Sequence, residues 1–155
     1  YNFQCYIFRF VSILGERYTH GHVYDFVKQL ISNKKILYVL GDGNQKKSYL
    51  NIRDCISAIY KSMRFFNKKI NIINLGTNEY LNVKNSIQVI CKVLEVKPKI
   101  IFKGGKRGWI GDNPFILLDT KKIRSSNWRP KFTIRKSIEI TTKYLLENLW
   151  LLKKN

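Results

Sequence analysis

The apolar positions of this chain fall into two periods that alternate from end to end. Residues 4–13 (QCYIFRFVSI) are almost continuously apolar and rich in β-branched and aromatic types. That composition predicts a strand buried on both faces, as in a parallel sheet. Residues 22–32 place Val23, Phe26, Val27, Leu30 and Ile31 at the i, i+3, i+4, i+7, i+8 spacing of a helix with one greasy face. Residues 36–40 predict a short strand, stopped by Gly41-Asp42-Gly43. Because Asp-Gly is a strong turn pair, residues 48–52 are expected to return as the second arm of a hairpin.

The alternation continues. Residues 54–66 read as a helix with Cys55, Ile56, Ile59, Tyr60 and Met63 on its inner face. Residues 70–75 form a second doubly buried strand, stopped by Gly76. Asn82 is a helix N-cap, and the helix to Glu95 buries Val83, Ile87, Ile90, Cys91 and Leu94. Pro98 breaks the chain before a strand at 99–103 and a glycine-rich loop at 104–111. Residues 115–118 are a candidate short strand, Asp119-Thr120 can cap a one-turn helix, and Thr133 can cap a last amphipathic helix. Strands alternating with helices define the α/β class. No internal repeat, linker or low-complexity stretch interrupts them.

Composition narrows the function classes. At 155 residues and 45% hydrophobic content, the chain has the size and apolar complement of one domain. No apolar run is long enough to span a membrane. Cys5, Cys55 and Cys91 are odd in number and far apart, which fits neither a disulfide framework nor a zinc site, and implies reduced thiols in a cytoplasmic protein. The net charge of +19 raises nucleic acid as a partner. Its lysines are scattered, however, and cluster only in pairs such as Lys34-Lys35, Lys68-Lys69 and Lys121-Lys122. A nucleic-acid footprint gathers on one stripe or arm, so a basic nucleic-acid-binding domain is the lesser alternative. A basic surface still steers anionic small molecules inward.

Two segments carry candidate chemistry. Residues 40–54, LGDGNQKKSYLNIRD, contain a near-match to a phosphate-binding P-loop at GDGNQKKS. Lys46 stands where the second glycine belongs, and the residues that follow look like strand, whereas a P-loop opens a helix whose N-terminus holds the phosphates. The ATPase reading therefore fails; what survives is a turn with Lys46-Lys47 beside Tyr49. The second segment is GGKRGWIGD at residues 104–112. Its glycines allow close backbone approach to an anion, Arg107 can fork onto that anion, and Asp112 can accept from sugar hydroxyls. The bland alternative is a flexible surface loop.

Other constellations are weaker. Tyr24 with Lys28, and Tyr80 with Lys84, have the Tyr-x-x-x-Lys spacing by which a lysine lowers a phenol pKa. About one such pair arises by chance at this tyrosine and lysine content, and both read as decoys. His20 and His22 lack a third ligand, so no metal site is expected. No strand leads through Gly-x-Gly-x-x-Gly into a helix. No catalytic residue is identified.

Taken in order, RFVSILGER (9–17), LGDGNQKKSYLNIRD (40–54), INLGTNEYLNV (73–83) and KRGWIGDNPFILLDTKKIRSSNWRPK (106–131) resemble the C-terminal half of the NAD-dependent epimerase/dehydratase family, the extended short-chain dehydrogenases that act on nucleotide sugars. The resemblance implies the C-terminal part of a Rossmann-type parallel sheet plus the small α/β nucleotide-sugar-binding domain. It implies Phe10 near the nicotinamide end of NAD and Ser12 near the sugar. Val23 and Phe26 would face the nucleotide base. Lys47 and Arg107 would hold the diphosphate, and Asp112 the ribose. Lys47 stands where relatives usually carry arginine, giving a point charge in place of a fork. Ser12 and Glu16 also depart from the family pattern.

The family's glycine-rich NAD loop and catalytic Tyr-x-x-x-Lys precede the RFVSILG strand. They have no counterpart in this chain, which starts at Tyr1 and reads as a piece beginning inside a fold. The expectation is a substrate-binding half of an enzyme of surface-polysaccharide biosynthesis, with the missing N-terminal half as partner and a homodimer for the intact enzyme. A UDP- or GDP-linked sugar is the expected ligand. The alternative is a non-catalytic remnant that keeps the grip on nucleotide sugars.

Overall fold

The computed structural model describes residues 2–105, 108 and 115–153. Strand β1 (Cys5–Phe10) pairs in parallel with β6 (Ile70–Leu75), from Cys5 opposite Ile70 to Phe10 opposite Leu75. After Val11 the chain changes partner. Strand β2 (Ser12–Leu14) pairs in parallel with β5 (Tyr49–Asn51). The single strand expected over residues 4–13 is thus two short ones.

Neither β1 nor β6 is buried on both faces. In β6, Asn71, Ile73 and Leu75 are buried, while Ile70 and Ile72 are exposed. Ile7 of β1 lies opposite Ile72 and is exposed too. An apolar run reports that a strand can be covered twice; it does not supply the second layer.

The expected hairpin is also corrected. Strand β3 (Ile36–Val39) pairs in parallel with β8 (Lys99–Phe102), and β5 belongs with β2. Residues 41–47 turn away from β3 toward the start of a helix. Gly41 bridges Gly104, and the Gly43 and Gln45 carbonyls accept from the backbone N–H groups of Lys84 and Val83 at 3.0 and 3.1 Å. Gly43 has φ 77°, and a Cβ there would sit 2.5 Å from the Phe102 ring. Both facts demand glycine. The loop then forms β4 (Lys46–Lys47), antiparallel to β7 (Leu81–Asn82).

Asparagine and threonine side chains cap three of the described helices. Helix α1 (His22–Ser32) keeps its expected bounds. Helix α2 (Ile52–Phe65) starts at Asn51, whose side chain accepts from the Arg53 N–H. Helix α3 (Val83–Leu94) is capped by Asn82, which accepts from Asn85 N at 2.8 Å. A single turn, α4 (Lys121–Arg124), follows Asp119, which accepts from Lys121 N. Helix α5 (Ile134–Glu147) is capped by Thr133 and runs into a 3₁₀ turn, Leu149–Lys153.

Two expectations fail here. Residues 115–118 form no strand; Phe115 packs edge-on against Tyr80 with ring centroids 5.4 Å apart. The inner face of α2 is Asp54, Cys55, Ala58 and Ser62, so Ile56, Tyr60 and Met63 point outward. Small side chains allow the helix to lie close to the sheet, and that requirement outweighs raw hydrophobicity.

Two cores result. Helices α1, α3 and α5 enclose Val23, Val27, Leu30, Ile87, Ile90, Ile138 and Leu145. Helix α2, β6 and α4 enclose Leu50, Cys55, Ala58, Ile73, Leu75, Ile123 and Trp128. Asp54, 2% exposed, joins the C-terminal segment to α2, its two carboxylate oxygens accepting from Lys131 N and Phe132 N, each at 3.0 Å. No helix among the described residues is long and apolar enough to cross a membrane.

Candidate functional site

Helix α1 has two faces with different uses. Val23, Tyr24, Val27 and Leu30 enter the core. His22, Asp25, Phe26 and Gln29 follow the i, i+3, i+4, i+7 spacing of a second stripe, and that stripe lines a cleft of about 1350 Å³. The opposite contributions come from β2, β3, β5 and the loop between β3 and β4. Ser12, Tyr38, Gln45, Lys47, Tyr49 and Lys103 all reach the cleft. Its volume is above that of an ordinary small-molecule pocket, so an extended ligand fits.

Each wall is held by hydrogen bonds the sequence pattern did not reveal. The Gln29 amide donates to the Tyr38 carbonyl at 3.2 Å and accepts from the Tyr38 N–H at 3.1 Å, which locks α1 to β3. The Tyr49 hydroxyl lies 2.8 Å from His22 Nδ1, tying β5 to the start of α1. Tyr49 is 4% exposed, so this pair forms the cleft floor. The Gln45 Nε2 donates to the Leu40 carbonyl at 3.3 Å, and Gln45 Oε1 is buried without a partner among the described residues. A buried amide oxygen left unpaired is a position at which a ligand donor gains most.

Three lysines, Lys28, Lys47 and Lys103, line the cleft beside one carboxylate among the described residues, Asp25. The cleft is therefore cationic. Desolvation pushes the Asp25 carboxyl up from its ordinary range, and Lys28 and His20 oppose that shift. Lys47 is half-buried on the two-residue strand β4, opposite Leu81. The short antiparallel pairing fixes its backbone while leaving the side chain at the cleft wall.

The structure brings Ser12, Phe26 and Lys47 to one cleft. Val23, fully buried, sits on the core face of α1, and Phe10 is exposed at the end of β1, its ring tilted 34° to that of Phe8. Arg107 and Asp112 lie outside the described residues. Gly108, between them in sequence, does line the cleft and approaches the Leu40 carbonyl. Sequence reasoning missed Asp25, Gln45 and Lys103, and noted Tyr49 only as the neighbour of the Lys46-Lys47 pair. The polar stripe at 22, 25 and 29 could have revealed the first, since it has the same period as the apolar stripe already read.

The decoys resolve as structure. Tyr24 is buried and its hydroxyl donates to the Leu151 carbonyl at 2.8 Å, a link between α1 and the C-terminal turn. Lys84 donates to Asn44 Oδ1, and Tyr80 faces Lys46, so that pair does no joint chemistry. No His, Cys, Asp or Glu group among the described residues is arranged to hold a metal ion. Cys55 is buried; Cys5 and Cys91 are half-buried, and all three thiols are free.

With this geometry in place, comparison with known proteins is informative. The profile of the NAD dependent epimerase/dehydratase family matches residues 1–76. A Methanocaldococcus jannaschii protein assigned by name as a UDP-glucose 4-epimerase is 24% identical over 152 residues, covering 96% of this chain and 48% of that protein. Escherichia coli GDP-L-fucose synthase is 22% identical across 79% of the chain and 40% of its own length. A crystal structure of UDP-galactose 4-epimerase superposes with a TM-score of 0.80 at 28% identity, over 95% of this chain and 47% of that one.

The fold is that of the Rossmann-like α/β epimerases. The chain is similar to the NAD dependent epimerase/dehydratase family, whose profile matches its residues 1–76. It spans about half the length of the curated relatives it matches.

Proposed function

We propose that this chain is the substrate-binding half of an NAD-dependent nucleotide-sugar epimerase, dehydratase or dehydrogenase, and that its cleft grips the diphosphate of a UDP- or GDP-linked sugar. The observation that carries the reading is the convergence of Ser12, Phe26 and Lys47 on one cationic cleft large enough for an extended ligand. Lys47 supplies a point charge to the diphosphate, with Lys103 on the same cleft. By the family resemblance, Arg107 and Asp112, which flank Gly108 in sequence, complete the grip. Phe26, 5% exposed, offers an apolar wall to the base, and Ser12 a hydroxyl to the sugar. The names of the relatives, UDP-glucose 4-epimerase and GDP-L-fucose synthase, support this ligand class.

NAD is the cofactor that the family implies. The described residues do not form its pyrophosphate cradle: α2 and α3 start at asparagine caps, and α1 starts at a lone Gly21. Phe10 offers an exposed aromatic face and no polar grip. The chain's contribution to the reaction is therefore positioning. It binds the nucleotide end and holds the sugar at a fixed place for chemistry performed by residues of an N-terminal half. Surface-polysaccharide biosynthesis in the cytoplasm is the setting that such a sugar nucleotide suits.

Calorimetric titration with UDP-glucose and GDP-mannose tests the reading. Saturable binding of one of them, weakened at least tenfold by Lys47→Ala, is expected. A folded chain that takes up neither sugar nucleotide refutes it.

A further inference from the structure

Among the described residues the cleft is cationic except at one place, and that place sits beside a flat aromatic surface. Tyr18 and His20, in the loop before α1, stack with ring centroids 5.5 Å apart and planes 24° apart, and both line the cleft. Gly21 follows at φ 88°, and a Cβ there would press on the Tyr18 hydroxyl, so the stacked pair lies tight against the start of α1. One turn further along, Asp25 lines the same cleft, its N–H donating to the Gly21 carbonyl at 3.0 Å. The chain has only ten acidic residues against 29 basic ones, yet a carboxylate stands in a site whose other charges, among the described residues, are lysines. A carboxylate repels phosphate, so it belongs at the other end of the ligand.

Which base a carboxylate selects follows from donor patterns. An ionised carboxylate only accepts, through two oxygens. Guanine presents N1–H and the exocyclic N2–H₂ side by side, two parallel donors that match those oxygens. Uracil presents one N–H between two carbonyls, and both carbonyls repel the carboxylate. Adenine offers a single amino group. Other polar groups on this wall are engaged elsewhere: Gln29 binds the Tyr38 backbone at both ends of its amide, and His22 faces Tyr49. Lys28, on the same helix, and His20 oppose the desolvation that raises the Asp25 pKa.

We propose that Asp25, beside the Tyr18–His20 stack, is the specificity-determining residue of the cleft and selects a guanine nucleotide over a uracil one. This rests on the reading of the cleft as a nucleotide-sugar site. It goes further by naming the base. The aromatic pair supplies a sequence-tolerant stacking surface, and the carboxylate supplies the discrimination.

The test is calorimetric titration of the full chain with GDP and with UDP, repeated for Asp25→Asn and Lys47→Ala, with circular dichroism confirming that each variant is folded. GDP is expected to bind about tenfold or more tightly than UDP, the discrimination a bidentate pair provides. Asp25→Asn should remove the preference, weakening GDP and leaving UDP bound at least as well, because the amide turns one acceptor into a donor that a uracil carbonyl can meet. Lys47→Ala should weaken both by the same factor. Equal binding of the two nucleotides, or a GDP preference that survives Asp25→Asn, overturns the assignment. If Lys47→Ala weakens both and Asp25→Asn changes neither, the nucleotide cleft stands and the guanine selection falls. If neither nucleotide binds the folded protein, both fall.

Discussion

Removing the Asp54 carboxylate should unfasten the C-terminal segment from the strand–loop–helix unit that carries Lys47. Asp54 is 2% exposed, and its oxygens accept from two backbone N–H groups 77 and 78 residues away. It also lies in the first turn of α2, where a negative charge faces the positive end of the helix dipole. A hydrogen bond to a charged group contributes roughly 1.5–3 kcal/mol. The Lys131 and Phe132 amides are only partly buried, so water recovers some of the loss. Asp54→Ala should therefore cost about 3 kcal/mol, a large share of the 5–15 kcal/mol typical of a whole domain. For a chain of this size that lowers Tm by about 6–12 °C. Asp54→Asn should fall between, since an amide accepts one of the two bonds and sets its own N–H₂ against the other donor. Thermal and urea denaturation followed by circular dichroism measure the change, with Glu139→Ala, a half-buried surface carboxylate between Lys136 and Lys143, as the control. A melting temperature for Asp54→Ala within about 2 °C of the parent would show that the two bonds are not a structural tie.

Two further outcomes follow from burial. Cys55 is 4% exposed and burial pushes its thiol pKa up, so at pH 8 it should be alkylated far more slowly in the native protein than after unfolding; mass spectrometry of timed iodoacetamide reactions reads this, and equal rates would contradict it. Because desolvation raises the folded-state pKa of Asp25, its stabilising contribution is present below the unfolded carboxylate range and is lost as pH rises through the raised value. Asp25→Asn should therefore match the parent in Tm near pH 3 and exceed it at pH 7; an Asp25→Asn protein that melts below the parent at pH 7 would reverse the sign of that argument.

Much of the fold is legible in the sequence where one local rule suffices. Asn82 and Thr133 mark helix starts because a side-chain acceptor has to satisfy a backbone N–H that the helix leaves over. Residues 22–32 fix α1 because a single period repeats three times. Strand pairing is not local, and there the expectations diverge. Asp42-Gly43 does turn the chain, but β5 joins β2, whose residues lie 37 positions earlier (Ser12 opposite Tyr49), because the loop's carbonyls are taken by the N-terminus of α3. The doubly buried strands fail for a related reason: sequence shows how apolar Ile7, Ile70 and Ile72 are, and not which layer covers them.

The site divides in the same way. Lys47, Ser12 and Phe26 were recognisable from the family pattern, and the structure gathers them. Asp25 was hidden because nothing in its neighbourhood distinguishes a polar stripe that faces a cleft from one that faces solvent. Only the packing of α1 against β3, through the Gln29 amide, decides that. Lys47 itself depends on the two-residue pairing of β4 with β7, an element too short for any periodicity to announce.

The central claim is that one cleft holds a nucleotide sugar, and amide chemical-shift mapping tests it most directly. On titration of the ¹⁵N-labelled chain with a nucleoside diphosphate sugar, the amides of Ser12, Phe26, Lys47 and Gly108 should move together and saturate together. Shifts that are absent, that scale without saturation, or that gather instead on the open face of β1 and β6 at Ile7, Ile70 and Ile72 would contradict the account.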